Sequence, residues 1–180
     1  MSRSGTVALA VLCAVLVFDG EPLSVSASIA GASSGQTAAF GEDQVADQLQ
    51  RLNSTLTERQ VRRIAAAVIK YSAKYGLDPQ LVTAVMRVES TARPWVRSPA
   101  GAVGLMQVMP HVAAQAEFAG NLTTTESNVE AGCMILADNI RRLGEEDGIS
   151  AYFWGSQIRG LSYLERVRAA RAAIERQAES

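Results

Sequence analysis

The chain has 180 residues, enough for one domain with a leader or a tail. Apolar residues make up 48%, which excludes wholesale disorder. Seventeen Lys and Arg against eighteen Asp and Glu give a formal net charge of −1, with no basic excess or like-charge block of the kind that binds nucleic acid.

The N-terminus reads as a secretory leader. Arg3 supplies the positive start, and Val7 to Phe18 is an apolar run. Val25-Ser26-Ala27 and Ser28-Ile29-Ala30 are both candidate cleavage sites. The run is well short of the ~20 residues that cross a bilayer, so no stable membrane span is expected. Leu12 before Cys13 is a poor lipoprotein signal, and no lipid anchor is expected. Cleavage after Ala27 removes Arg3, Asp19 and Glu21 and leaves sixteen residues of each sign. It also leaves Cys133 alone, which excludes an internal disulfide. Cys133 is expected as a small buried hydrophobe in a helix. One Cys and one His cannot make a structural zinc site, and no metal or cofactor is expected.

Residues 28–41 are small and polar, the pattern of a flexible linker, and the folded domain is expected over 42–180. Val45, Leu49 and Leu52 predict a short helix over 42–53. Thr57 with Gln60 makes a capping box, and Val61, Ile64, Ala65, Val68 and Ser72 continue a helix that Gly76 closes. Asp78-Pro79 reads as N-cap and first residue of a third helix, ending near Glu89-Ser90 because Pro94 and Pro99 follow. Pro110 restarts helix through about Phe118, with His111 as a surface residue at its start. Ser127 or Asn128 is expected to cap the next helix, with Val129, Cys133, Leu136 and Ile140 on one face and Gly144 at its end. Ala151 to Trp154 is a short apolar piece, and residues 158–178 a final helix whose Arg and Glu read as a solvated face. No segment alternates with period two, so no strands are predicted. The class is all-α, with six or seven helices.

Glu89 invites a chemical reading. It falls at the C-terminal end of a helix, where the dipole disfavours a negative charge, and apolar neighbours would desolvate it. Both effects favour a protonated carboxyl, as a general acid needs. A solvent-exposed Glu at a helix end is the plainer alternative. The loop that follows tips the balance. Gly101 and Gly104 permit close approach, Ser98 and Gln107 offer neutral hydrogen bonds, and Met106 and Met109 offer adaptable apolar walls. No Lys or Arg lies between Ser98 and His111, so a sugar suits this loop better than a phosphate. From Leu77 to Gln115 the only carboxylates are Asp78 and Glu89, whereas standard glycosidases flank the bond with two, about 5–9.5 Å apart.

Glu89-Ser90, Ser98-Pro99-Ala100-Gly101-Ala102 and Gly104-Leu105-Met106-Gln107-Val108-Met109-Pro110 together resemble the soluble lytic murein transglycosylases. Asn128 with Gly132 is similar to that family's N-I-x-x-G helix, and Ala151-Tyr152 with Gly155 to its A-Y-N-x-G. The likeness covers about residues 60–165. It implies a goose-lysozyme-like helical fold with a deep substrate cleft. It implies peptidoglycan strands as substrate and Glu89 as sole acid/base, cleaving the MurNAc–GlcNAc bond with closure of a 1,6-anhydro ring. Substrate contacts are implied for Ser98, Gly104, Met106, Gln107, Met109 and Tyr152. A hydrolase on the same scaffold and a weakly catalytic peptidoglycan-binding component are the alternatives. The leader implies a location in the periplasm or outside the cell after cleavage; a monomer is expected, and wall recycling, division or a cell-envelope secretion or conjugation apparatus are the settings open to it. Four positions depart from the pattern: Ala92-Arg93 in place of an aromatic and Asn, Phe153 in place of Asn, and Ile135 in place of Tyr. Trp95 is either a displaced sugar platform or a packed residue.

Overall fold

The computed structural model describes residues 40–178. The expected leader (1–27) and most of the expected linker (28–41) lie outside the described residues. Those residues form seven helices: α1 (Glu42–Leu52), α2 (Glu58–Tyr75), α3 (Pro79–Ser90), α4 (Pro110–Gln115), α5 (Thr125–Leu143), α6 (Glu145–Trp154) and α7 (Ser162–Ala178). No strand is present among them; only isolated bridges join Arg97 to Val103 and Val103 to Val108. The all-helical expectation holds.

Local chemistry explains most boundaries. The Thr57 hydroxyl accepts from Gln60 N while Gln60 Oε1 accepts from Thr57 N, so two end donors of α2 are satisfied at once. Asp78 accepts from Gln80 N at 2.8 Å and Pro79 opens α3. Gly76 ends α2 in the left-handed region. Four boundaries differ from expectation, the last being α7, which opens at Ser162 rather than at 158. Helix α4 is shorter, ending at Gln115. Helix α6 is a full ten residues, although only its last four read as apolar. Glu145, Glu146 and Asp147 obscured the pattern, yet acids in a first turn complement the helix dipole. Helix α5 begins at Thr125 after Thr124, so neither Ser127 nor Asn128 caps it.

The helices pack in a closed circuit: α2 on α5, α5 on α6, α6 on α7, α7 on α3, and α3 back on α2, with α1 across α2 and α3. Leu49, Ile64, Met86, Leu136, Leu164 and Ile174 are fully buried at the centre. Each such side chain stabilises the fold by roughly 1.5–3 kcal/mol through apolar burial. Helix α7 is only half solvated: Tyr163, Leu164, Val167, Ala170 and Ile174 form a buried stripe beneath its charges. Surface pairs such as Arg63–Glu126, at 2.6 Å, tie α2 to α5, but exposure to solvent screens them and they add little to stability.

Candidate functional site

The long connection between α3 and α4 is held by a small set of backbone bonds. Val103 and Val108 exchange two hydrogen bonds of 3.0 Å, and Gly104 N donates to Val96 O at 2.8 Å. Gly104 has a φ of +75°, and a Cβ there would stand 2.5 Å from the Asn128 side chain. Glycine is therefore required for both conformation and space.

Asn128 explains that close approach. It lies inside α5, is buried, and clamps the loop with its whole amide. Its Oδ1 accepts from Met106 N at 2.8 Å, while Nδ2 donates to Val103 O at 2.8 Å and Leu122 O at 3.0 Å. The Tyr152 hydroxyl donates to Met106 O at 2.8 Å. The Met106 peptide is thus fastened on both its polar atoms. Its side chain, 0% exposed, lies so close to Gly132 that a Cβ there would be 2.6 Å from Met106 Cβ.

A cleft of about 320 Å³ opens on one side of this loop. Glu89, Ser98, Gln107, Met109 and Tyr152 line it, with Ala100, Ala102 and Phe153. Five expected site residues therefore come together. Gly104 and Met106 do not reach the cleft; both are buried and shape the loop from behind. Ser98 Oγ accepts from Ala102 N at 3.0 Å, which leaves its proton to donate elsewhere. Gln107 has a φ of 46°, and its Nε2 donates to Val96 O and Gly104 O, at 3.2 and 2.9 Å. That leaves its Oε1 as the group open to a ligand. His111 is exposed at the start of α4.

Glu89 is the only carboxylate among the residues lining the cleft. Burial raises its pKa above the ordinary range. Two neighbours on α7 oppose that rise: the Tyr163 hydroxyl, which donates to Glu89 Oε1 at 2.5 Å, and the Arg166 guanidinium. Burial wins. Arg166 also donates to Val88 O at 3.2 Å, satisfying a carbonyl at the end of α3. Burial, and then the Glu89 charge, push the pKa of both Tyr152 and Tyr163 well above the usual range, so both hydroxyls stay donors.

Tyr163 is the residue that sequence reasoning missed. It sits on an apolar stripe at helical spacing, and a buried aromatic with a polar tip needs a partner for that tip. Phe153, at a position where the motif departs from its family, stacks on Tyr163 with ring centres 5.1 Å apart and planes 14° apart. It is 53% exposed and also forms cleft wall. Trp95 lies outside this cleft. Among the described residues no cluster of three His, Cys, Asp or Glu could hold a metal ion. No described helix is long and apolar enough to cross a membrane.

Comparison with known proteins bears on this arrangement. The family described as Transglycosylase SLT domain matches residues 66–166. The transglycosylase of Enterobacteria phage PRD1 is 37% identical over 86 residues, covering 47% of this chain and 32% of that protein. Membrane-bound lytic murein transglycosylase C of Glaesserella parasuis is 36% identical over 89 residues, covering 44% of this chain and 24% of that protein. The chain thus spans a third or less of the length of these relatives. Among solved structures, the 70-kDa soluble lytic transglycosylase of Escherichia coli superposes with a TM-score of 0.50 at 21% identity, covering 74% of this chain and 26% of that one. That likeness shows the lysozyme-like helical fold.

Proposed function

Because the chain belongs to the transglycosylase SLT domain family, we propose that it is a peptidoglycan lytic transglycosylase in which Glu89 alone serves as acid and then base. The observation that carries the reading is a lone, desolvated carboxyl, held by a tyrosine hydroxyl, in a cleft of neutral polar and apolar groups. The relatives, a phage transglycosylase and a lytic murein transglycosylase, support the transglycosylase part of the reading.

Protonated Glu89 gives its proton to the glycosidic oxygen between N-acetylmuramic acid and N-acetylglucosamine. The C1–O bond of the muramic sugar breaks, and positive charge develops at C1, supported by the substrate's own N-acetyl carbonyl. Glu89, now a carboxylate, accepts the proton of the muramic C6 hydroxyl as that oxygen bonds to C1. The ring closes, the acid is regenerated, and no water is consumed. A second carboxylate has no task in this sequence, unlike in standard glycosidases. Ser98 and the Oε1 of Gln107 are the neutral groups placed to orient the sugars, and Phe153 and Met109 are the apolar walls. The substrate lies outside the cytoplasmic membrane, in keeping with the leader expected over 1–27.

Digestion of purified peptidoglycan by the chain and by Glu89→Gln, followed by mass spectrometry, tests the reading. The expected products are anhydro ends, lighter by one water than hydrolysis products, from the parent chain only. Reducing ends instead would assign a hydrolase. Equal product from both proteins would remove Glu89 from the reaction.

A further inference from the structure

Tyr163 is the first buried residue of α7, and the chain that leads to it does not cover it. From Gly155 to Ser162 every residue is exposed except Gly160, which is half-buried. Tyr163 is nonetheless only 1% exposed, and it is not among the residues lining the cleft. The Phe153 ring supplies the cover on the cleft side. It comes from the end of α6, lies nearly parallel to the Tyr163 ring, and is itself exposed and part of the cleft wall. One face of Phe153 therefore rests on the tyrosine while its remaining surface meets the cleft. The Trp154 ring stands edge-on to Phe153, with centres 4.9 Å apart and planes at 88°, and limits its swing.

That cover matters because of what lies beneath it. The Tyr163 hydroxyl donates to Glu89 at 2.5 Å. Burial is the strongest influence on Glu89, ahead of the Tyr163 hydrogen bond and the Arg166 charge, and it acts against both. The titratable groups that meet the carboxyl are Tyr163 and Arg166 of α7 and Tyr152 of α6. Helices α1 and α2 also pack on α3, and no charged group on either acts on Glu89. Water reaching the pair would weaken every one of these influences, and the largest would lose most. The carboxyl would then move down toward its ordinary range. The family motif carries Asn at this position. An asparagine is shorter than Phe153 and bears an amide that must be hydrated or paired, so it would draw water onto the tyrosine ring rather than shield it.

We propose that Phe153 is a positioning residue that excludes water from the Glu89–Tyr163 pair, so that this chain keeps its acid dry with an aromatic cover where the family motif has Asn. It acts through Tyr163 and not on the reacting atoms. The proposal rests on the reading of Glu89 as the acid of a transglycosylase, and deepens it. A ring that only oriented the Tyr163 hydroxyl would act with the opposite sign. Its loss would weaken the hydrogen bond and raise the Glu89 pKa, as loss of the hydroxyl itself does.

The full chain, isotope-labelled at the glutamate carboxyl carbon, is titrated by NMR, and the Glu89 signal is the one missing from Glu89→Gln. The expected result is a lower Glu89 pKa in Phe153→Asn, a value close to the parent's in Phe153→Leu, which keeps an apolar cover, and a higher one in Tyr163→Phe. Phe153→Ala carries the same expectation as Phe153→Asn and replaces it should that variant fail to fold. Murein lysis gives the second readout: the alkaline limb of the kcat profile is expected at lower pH in Phe153→Asn. An unmoved or raised Glu89 titration in Phe153→Asn, or a fall as large in Phe153→Leu, would overturn the proposal. So would an effect of Phe153→Asn confined to KM, which would make the ring a sugar wall only. Lysis by the parent without the titration shift in Phe153→Asn rejects the cover alone. The expected titration shift without lysis by the parent rejects the proposed activity and keeps the cover.

Discussion

Helix α3 carries an acid at each end, and α7 meets both, yet their surroundings are opposite. At the N-terminal end Asp78 caps the helix and pairs with Arg171, which also approaches Glu145 and Glu175, at 3.3 and 3.5 Å. The helix dipole is positive there. At the C-terminal end Glu89 is desolvated and touches a hydroxyl rather than a guanidinium, with the dipole against it. One pair of packed helices thus holds a carboxylate in ion pairs at one end and leaves another desolvated, against a hydroxyl, at the other. Residue type does not decide between these outcomes; position along the helix and the partner's charge do.

The sharpest way to break this contrast is catalytic. Glu89→Gln should lower murein lysis by about 10²–10⁴-fold, the usual contribution of a general acid–base group, while Asp78→Asn leaves the rate unchanged. Comparable losses at both ends would show that α3 matters only as a scaffold. Tyr163→Phe comes next. Loss of a hydrogen bond to a charged group should cost about tenfold or more in kcat. That bond lowers the Glu89 pKa, so its removal raises it further, and the alkaline limb of the pH–rate profile should move to higher pH.

Stability should then move in opposite directions at the two ends. Asp78→Ala removes a cap and an ion pair, and denaturant titration should show a loss of about 1–2 kcal/mol. Glu89→Gln should instead raise Tm slightly near neutral pH. The folded-state pKa of Glu89 is raised, so the folded protein binds more protons than the unfolded chain between the two pKa values, and stability falls there as pH rises. Glutamine removes that loss, so its advantage should shrink to nothing below the ordinary carboxylate range. A Tm advantage that persists at acid pH would deny Glu89 its raised pKa.

Much of this organisation was legible in the chain because it is written locally. Thr57 with Gln60, Asp78-Pro79, Gly76 and Pro110 punctuate helices through contacts a few residues long. The cluster of Glu89, Ser98, Gln107, Met109 and Tyr152 could be read from one loop and one motif. What escaped is non-local. Asn128 has the propensity of a cap, yet its partners lie 22 and 25 residues away, and no local pattern encodes a clamp. Tyr163 reaches Glu89 across 74 residues from a helix whose charges mask its apolar stripe. Phe153 read only as a departure from the family motif, and it stacks on the tyrosine whose hydroxyl meets Glu89.

The clamp on Met106 has a consequence for motion. A loop without regular structure would ordinarily exchange its amide hydrogens through small local openings. Here the Met106 amide hydrogen bonds to a buried side chain in the first turn of α5, and its carbonyl is pinned by Tyr152 of α6. Freeing that hydrogen requires separating the loop from two helices at the heart of the bundle. The Met106 amide should therefore exchange as slowly as the core helices, and the floor of the cleft should open only when the whole domain does.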